Sequence, residues 1–322
     1  MSKKTFVKRR HHYVWAHYLR SWDAGGGLFY VTPKGKVAQS NANGLSAELG
    51  FYKINSLDAH DIEYLSAWID KSEPGLKSLH QAFLRDFFVR ASLASNIASL
   101  PDGKLSAECN SLLFNSLENV HSNFESGARI VLDRLSEGDF KSLEDDLNML
   151  DFCCYLGHQL TRTKSFRDKT LCAVLGNLGD SMEHRHYAEL TKKNWWLVNF
   201  ILGLNSGWAF YSSRHKANKV ALINKTDVPF ITSDNPVINV HSSVLSLSEG
   251  EAPVYMDLYF PISPKFAYMI NDSDDFNHLA VSLNEEYVEV LNAHIARCAY
   301  STVYSYDRSS LACLQWKAKQ IL

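Results

Sequence analysis

The hydrophobic period changes once along the chain, and that change limits the fold more than any other feature. Up to Asn205-Ser206-Gly207 the apolar residues recur at three- and four-residue steps, most clearly Ile62, Leu65 and Ile69, then Leu76, Leu79 and Phe83. Such spacing lines one face of a helix. Beyond Gly207 the period falls to near two, over 208–212, 220–224, 230–233, 237–240, 255–262 and 266–271, which is the alternation of strands. A helix over about 284–298, a strand over 301–306 and a terminal helix follow. Ahead of the helical part, 28–32 and 37–39 read as a hairpin around Pro33-Lys34-Gly35. Short turns between strands favour antiparallel pairing. The expected class is α+β: a helical middle region packed on a mainly antiparallel β-sheet, with an N-terminal β-hairpin. The 322 residues are expected to make a single domain, with the hairpin region at about 11–60, the helical region at 61–205 and the sheet-rich region at 206–322.

Local signals add boundaries. Pro74 interrupts a helix or starts a second one, Pro101-Asp102-Gly103 is a loop, and Gly138-Asp139 separates helices filling 105–135 and 139–166. Helical pattern resumes near 181. Residues 11–22 read as a short helix or turn, and Phe51-Tyr52 as an exposed pair. Asn284 suits an N-cap, and Asn292, inside the last long helix, suits a bond to buried backbone.

Composition excludes several classes. With 46% hydrophobic and 21% charged residues the chain is globular rather than disordered or fibrous, and its net charge of -2 provides no global field for nucleic acid or acidic membrane. A nucleic-acid role therefore needs a local basic patch. The basic run Lys3, Lys4, Lys8, Arg9, Arg10 leads into no apolar segment, so it is not a signal peptide. The longest apolar stretch, Trp195 to Leu204, is broken by Asn199 and too short to span a bilayer. Six cysteines show no CxxC pair; reduced, mostly buried thiols in the cytoplasm are expected. No P-loop, GxGxxG, GxSxG or HExxH occurs, and Glu183-His184-Arg185-His186 reads as a surface turn rather than a zinc site.

Three polar clusters remain. The first is the basic run with His11-His12, followed by Tyr13, His17 and Arg20; a histidine near neutral pH serves as base, acid or metal ligand, and the competing reading is a solvated tail before a packing helix. In the second, Tyr155, Gln159 and Arg162 share a helical face, and an Arg fork suits a carboxylate or phosphate. Here the competing reading is an internal ion pair to Glu63, Glu73 or Asp234. The third is Thr232-Ser233-Asp234-Asn235-Pro236-Val237 at a strand end, where Asp234 binds a cation or acts as base, or else caps local backbone.

In their order these segments resemble the family called domain of unknown function 4238, over a span from near residue 9 to near residue 306. The matching pieces are His11-His12-Tyr13-Val14 with Tyr18-Leu19-Arg20, then Gln159, Arg162 and Thr163, then Thr232 to Val237 throughout, then Pro261-Ile262-Ser263-Pro264, then Asn292 and Tyr304-Ser305. Family prolines are replaced by Trp15 and Lys164, and a family aromatic by His17. The resemblance implies that polar residues from three distant segments converge on one pocket.

The activity expected on these grounds is hydrolysis of phosphodiester bonds, as a nuclease, in antiviral defence or as a toxin. His12, Arg162 and Asp234 are the catalytic candidates. Lys8, Arg9, Arg10, Arg20, Gln159 and Asn235 would bind substrate, and Asp234 with His12 would hold a divalent ion, Mg or Mn. The expected partners are nucleic acid and a protein from a defence gene set, with no membrane. The rival expectation is a non-enzymatic sensor or interaction protein that takes an anionic ligand or protein partner through Arg162. A third is a polar core in which Arg162 pairs with Asp234.

Overall fold

The structure is a computed structural model that describes residues 6–98, 106–176, 181–216, 218–247, 251, 253–273 and 280–312. The class is α+β. Strand β1 (Arg10–His12) leads into the short helix α1 (Ala16–Leu19) and a single 3-10 turn at Arg20–Trp22. The hairpin β2 (Leu28–Val31) and β3 (Val37–Ser40) follows, and β4 (Ala47–Leu49) returns antiparallel to β1, with His11 opposite Glu48. Six helices come next: α2 (Ala59–Ile69), α3 (Pro74–Ala98), α4 (Ser106–Ser136), α5 (Asp146–Thr161), α6 (Lys164–Gly176) and α7 (Met182–Ser212). The remainder is β5 (Asn218–Asn224), β6 (Thr232–Ser233), β7 (Ile238–Asn239), β8 (Asp257–Pro261), β9 (Phe266–Asn271), β10 (Ala280–Leu283), α8 (Glu285–Cys298) and β11 (Val303–Ser305).

Pro74 occupies the first position of α3, where its missing N–H costs nothing. Asp58 caps α2 reciprocally with Asp61, and Asn284 caps α8 through Tyr287 N–H at 2.9 Å. Gly138 ends the turn after α4 at φ +89°, a conformation that favours glycine.

The sheets are β10-β5-β9-β8-β7 and β3-β2-β11-β6. The five-stranded sheet is buried on both faces. Leu258, Phe260, Tyr268 and Ile270 join the cluster of Phe152 and Tyr155 on α5, whereas Tyr259, Ala267 and Met269 join Val288, Leu291 and Ile295 of α8. Strand alternation sends successive side chains to opposite cores. Burial of each large α8 side chain contributes about 1.5–3 kcal/mol. Asn292 sits among them and joins Ile231 N–H (3.0 Å) to the Pro229 carbonyl (2.8 Å), as its mid-helix position suggested.

Several expectations change. Residues 208–212 are helical, because α7 continues through Gly207 to Ser212. The glycines where α5 and α7 cross are required by contact rather than by a turn: a Cβ on Gly157 of α5 would stand 2.3 Å from the Gly203 carbonyl oxygen, and one on Gly207 of α7 2.7 Å from Cys154 Cα. Residues 10–12 are a strand rather than part of a helix. Tyr52 is fully buried, not exposed. Strands β6 and β7 are only two residues each, separated by Asp234 and Pro236, and β10 pairs with β5 in parallel. His184 and His186 lie in the first turns of α7 rather than in a turn between elements. The Pro101-Asp102-Gly103 loop, Lys3, Lys4 and Cys313 lie outside the described residues. Among the described residues no helix is long and apolar enough to cross a membrane.

Candidate functional site

Strand β1 divides its two histidines. His11, fully buried, accepts from Tyr52 N–H at Nδ1 (2.7 Å) and donates from Nε2 to the Lys8 carbonyl (2.9 Å), so both nitrogens are used structurally. The next residue points the other way. His12 is half-buried, and its Nε2 lies 3.1 Å from the Asn43 carbonyl. A carbonyl only accepts, so a neutral His12 carries its proton on Nε2 and keeps the Nδ1 lone pair. Burial lowers the His12 pKa, and the charges of Arg162, Arg10 and Arg20 lower it further. The ring is therefore neutral near pH 7, the state a general base needs.

The turn at Ala42–Gly44 gathers these groups. Arg10 Nη2 donates to the Gly44 carbonyl (3.3 Å) and Arg20 Nη2 to Asn43 Oδ1 (2.9 Å), beside the His12 bond. Asn41 holds the turn by accepting from Asn43 N–H. On the opposite side of β1, Arg9 and Lys53 lie over the Phe114 ring at 6.0 and 5.3 Å, and Lys8 Nζ donates to Asn119 Oδ1 (2.9 Å). Among the described residues none of Lys8, Arg9, Arg10, Arg20 or Lys53 has a carboxylate partner. Farther along, Arg167 lies over Phe51 and Lys164 over Tyr13, but these two cations pair with Asp168 and Glu48. The result is a basic surface interleaved with aromatic rings around the N-terminal strand.

The three motif segments converge, though not as an open triad. Gln159 Nε2 donates to the Tyr13 carbonyl (3.0 Å), and its Oε1 accepts from Arg162 Nη2 (2.8 Å). Arg162, 2% exposed, pairs through Nη1 with Glu125 Oε1 at 2.7 Å. Its ionic partner is thus Glu125 of α4, not Glu63, Glu73 or Asp234. Glu118, two turns before Glu125 on α4, is pushed up to about 8 by burial and then by Glu125. Glu125 was missed in the sequence, although it lies four residues from buried His121 and three from buried Ala128, the spacing of the inward stripe.

Asp234 is fully buried and accepts from Tyr300 N–H (2.8 Å), Ser301 N–H (2.8 Å) and Ser301 Oγ (2.6 Å). Asn235 accepts from Thr163 Oγ1 (3.1 Å) and donates to the Cys298 carbonyl (3.0 Å). Both oxygens of Asp234 are committed to the loop after α8, so it does not fit the part of a metal ligand. Among the described residues no three His, Cys, Asp or Glu side chains come together as a metal site. The remaining fitted group is the surface trio His12, Arg10 and Arg20.

A family model described as "Protein of unknown function (DUF4238)" matches residues 10–309, and the chain belongs to that family. No curated protein and no solved structure matches it.

Proposed function

We propose that this DUF4238 member hydrolyses phosphodiester bonds in nucleic acid, with His12 as the base and Arg10 and Arg20 as the phosphate clamp. One observation carries the reading: an imidazole and two guanidiniums that have no carboxylate partner among the described residues meet at the surface turn Ala42–Gly44. The two cations suit non-bridging phosphate oxygens, because a guanidinium fork matches them geometrically. His12 Nδ1 takes a proton from the attacking water as the new P–O bond forms, the bond to the leaving oxygen breaks, and the departing alkoxide takes a proton from solvent. Lys8, Arg9 and Lys53 extend the positive surface along the backbone, and the Phe114 ring offers a stacking face. Arg162, Gln159, Asp234 and Asn235 hold the strand and loops that carry the site; no step is routed through a metal at Asp234. In its biological setting such an activity suits antiviral defence or a toxin, with nucleic acid as the target.

The test is cleavage of end-labelled single-stranded RNA and DNA by the purified chain, with and without chelator. Cleavage is expected to fall at least 100-fold in His12→Ala, in line with removal of a general base. Intact substrate after prolonged incubation overturns catalysis. The arrangement also supports the binding-only alternative: if both nucleic acids bind through Arg10 and Arg20 yet neither is cut, the chain is a non-enzymatic receptor for an anionic ligand.

A further inference from the structure

A cleft of about 520 Å³ opens between the start of α6, the turn at Ser242–Ser246 and the end of α8. The buried motif residues fasten the segments that line it. Asn235 joins Thr163, just ahead of α6, to the Cys298 carbonyl, and Asp234 fastens residues 300 and 301. Tyr300 Oη then closes back on Asp168 Oδ2 at 2.8 Å. Three segments far apart in the chain, 163–168, 234–235 and 298–301, are thus tied together beside one concavity, within the size range of small-molecule sites.

Its lining has two chemistries. Leu245 is 59% exposed and Tyr300 46% exposed, and with Val244 they present an apolar and aromatic wall to solvent. Lys169 and Arg297, both exposed, bring two cations that have no carboxylate partner among the described residues. Asp168, the one acid in the lining, is held by Arg167 Nε (2.8 Å) and Tyr300. The cleft therefore brings two cations, one hydrogen-bonded acid and an aromatic and aliphatic lining to one concavity.

We propose that this cleft binds a nucleoside monophosphate, with the base against Tyr300 and Leu245 and the phosphate between Lys169 and Arg297. A flat ring matches an aromatic and aliphatic wall, and a phosphate matches an Arg fork beside a Lys. The lining shares no residue with the His12, Arg10 and Arg20 group, and binding there does not depend on their activity.

Cys298 lines the cleft and provides the readout, with exposed Cys172 on α6 as the internal reference. AMP, GMP, CMP, UMP and inorganic phosphate are each titrated while iodoacetamide labelling of the two thiols is followed by peptide mass spectrometry. At least one mononucleotide is expected to slow Cys298 labelling several-fold and leave Cys172 unchanged. Arg297→Ala and Lys169→Ala, both at exposed positions, should each weaken that protection about tenfold, the loss of one charge-assisted bond. His12→Ala should preserve it, so failure of the nuclease reading leaves this result intact. Three outcomes overturn the proposal: no protection by any of the four nucleotides, equal protection by inorganic phosphate alone, or undiminished protection in the Lys169→Ala/Arg297→Ala double variant.

Discussion

Arg162 and Glu125 meet at 2.7 Å across α5 and α4, with the arginine 2% and the glutamate 13% exposed. The guanidinium also holds Gln159, which in turn holds the Tyr13 carbonyl, so the pair anchors the N-terminal strand from inside. Removing one partner strands the other charge in the core. Glu125→Ala and Arg162→Ala should each cost about 3–5 kcal/mol, whereas Arg162→Met combined with Glu125→Leu should cost less than either single change. Urea denaturation of the four proteins checks this. A loss in the double variant equal to the sum of the two single losses would show that the two charges do not act as a pair.

Asp234 serves the same purpose for the loop after α8. Asp234→Asn keeps an acceptor but places an NH2 against an N–H or hydroxyl, so it should lose about 1.5–3 kcal/mol, the worth of bonds to a charged group. Released residues 298–301 should also make Cys298 label faster than in the parent protein. A melting temperature equal to that of the parent would remove Asp234 from this role.

Stability should depend on pH through Glu118. Burial and Glu125 raise its pKa to about 8 from 4.5, so the folded state holds a proton that the unfolded state has released. Its contribution is complete below about pH 4.5 and is lost as pH rises towards 8. The buried histidines act in the opposite sense. His158 is pushed down to about 3 by burial and by Arg162, and His121 is lowered by burial and by His158. Their contribution is complete above the unfolded value of 6.5 and is lost on acidification below it. The window from 6.5 to 8 therefore excludes the histidines and leaves the buried α4 carboxyls, Glu118 and Glu125, the second also raised by burial. There the urea midpoint of the parent should fall with rising pH, and Glu118→Gln should flatten that fall; parallel curves for the two proteins would contradict the shift.

Much of this arrangement is legible in the chain, and the remainder is not for specific reasons. The polar motifs mark the segments that converge, because Gln159, Arg162, Asp234 and Asn235 are costly to bury unless each finds a partner. Their partners are harder to read. Glu125 sits in a long helix where a carboxylate is ordinarily solvated, and only its place on the apolar stripe betrays it. His11 and His12 are the same residue side by side, and it is pairing with β4 that sends one into the core and the other to the surface. Gly207 resembles a turn residue in a one-dimensional reading, yet it lies in mid-helix because Cys154 of α5 leaves no room for a side chain. The length of α7 is thus decided by packing and not by local propensity.

The basic surface makes a quantitative demand on any nucleic-acid complex. Each cation that neutralises a phosphate releases counterions, and for single strands the slope of log K against log salt is about −0.7 per contact. Arg9, Arg10, Arg20 and Lys53 have no carboxylate partner among the described residues, so each is available to phosphate. Alanine at any one of them should reduce the slope by about 0.7. Lys164 and Arg167 lie over neighbouring rings on the same surface but are already paired with Glu48 and Asp168. A phosphate would have to displace those carboxylates, so Lys164→Ala and Arg167→Ala should leave the slope nearly unchanged. Fluorescence anisotropy with labelled single-stranded RNA between 50 and 200 mM salt, a range over which a six-contact single-strand complex weakens by roughly a few hundredfold, separates the two groups. Equal slope changes for paired and unpaired cations would mean that the RNA follows a different path across the molecule.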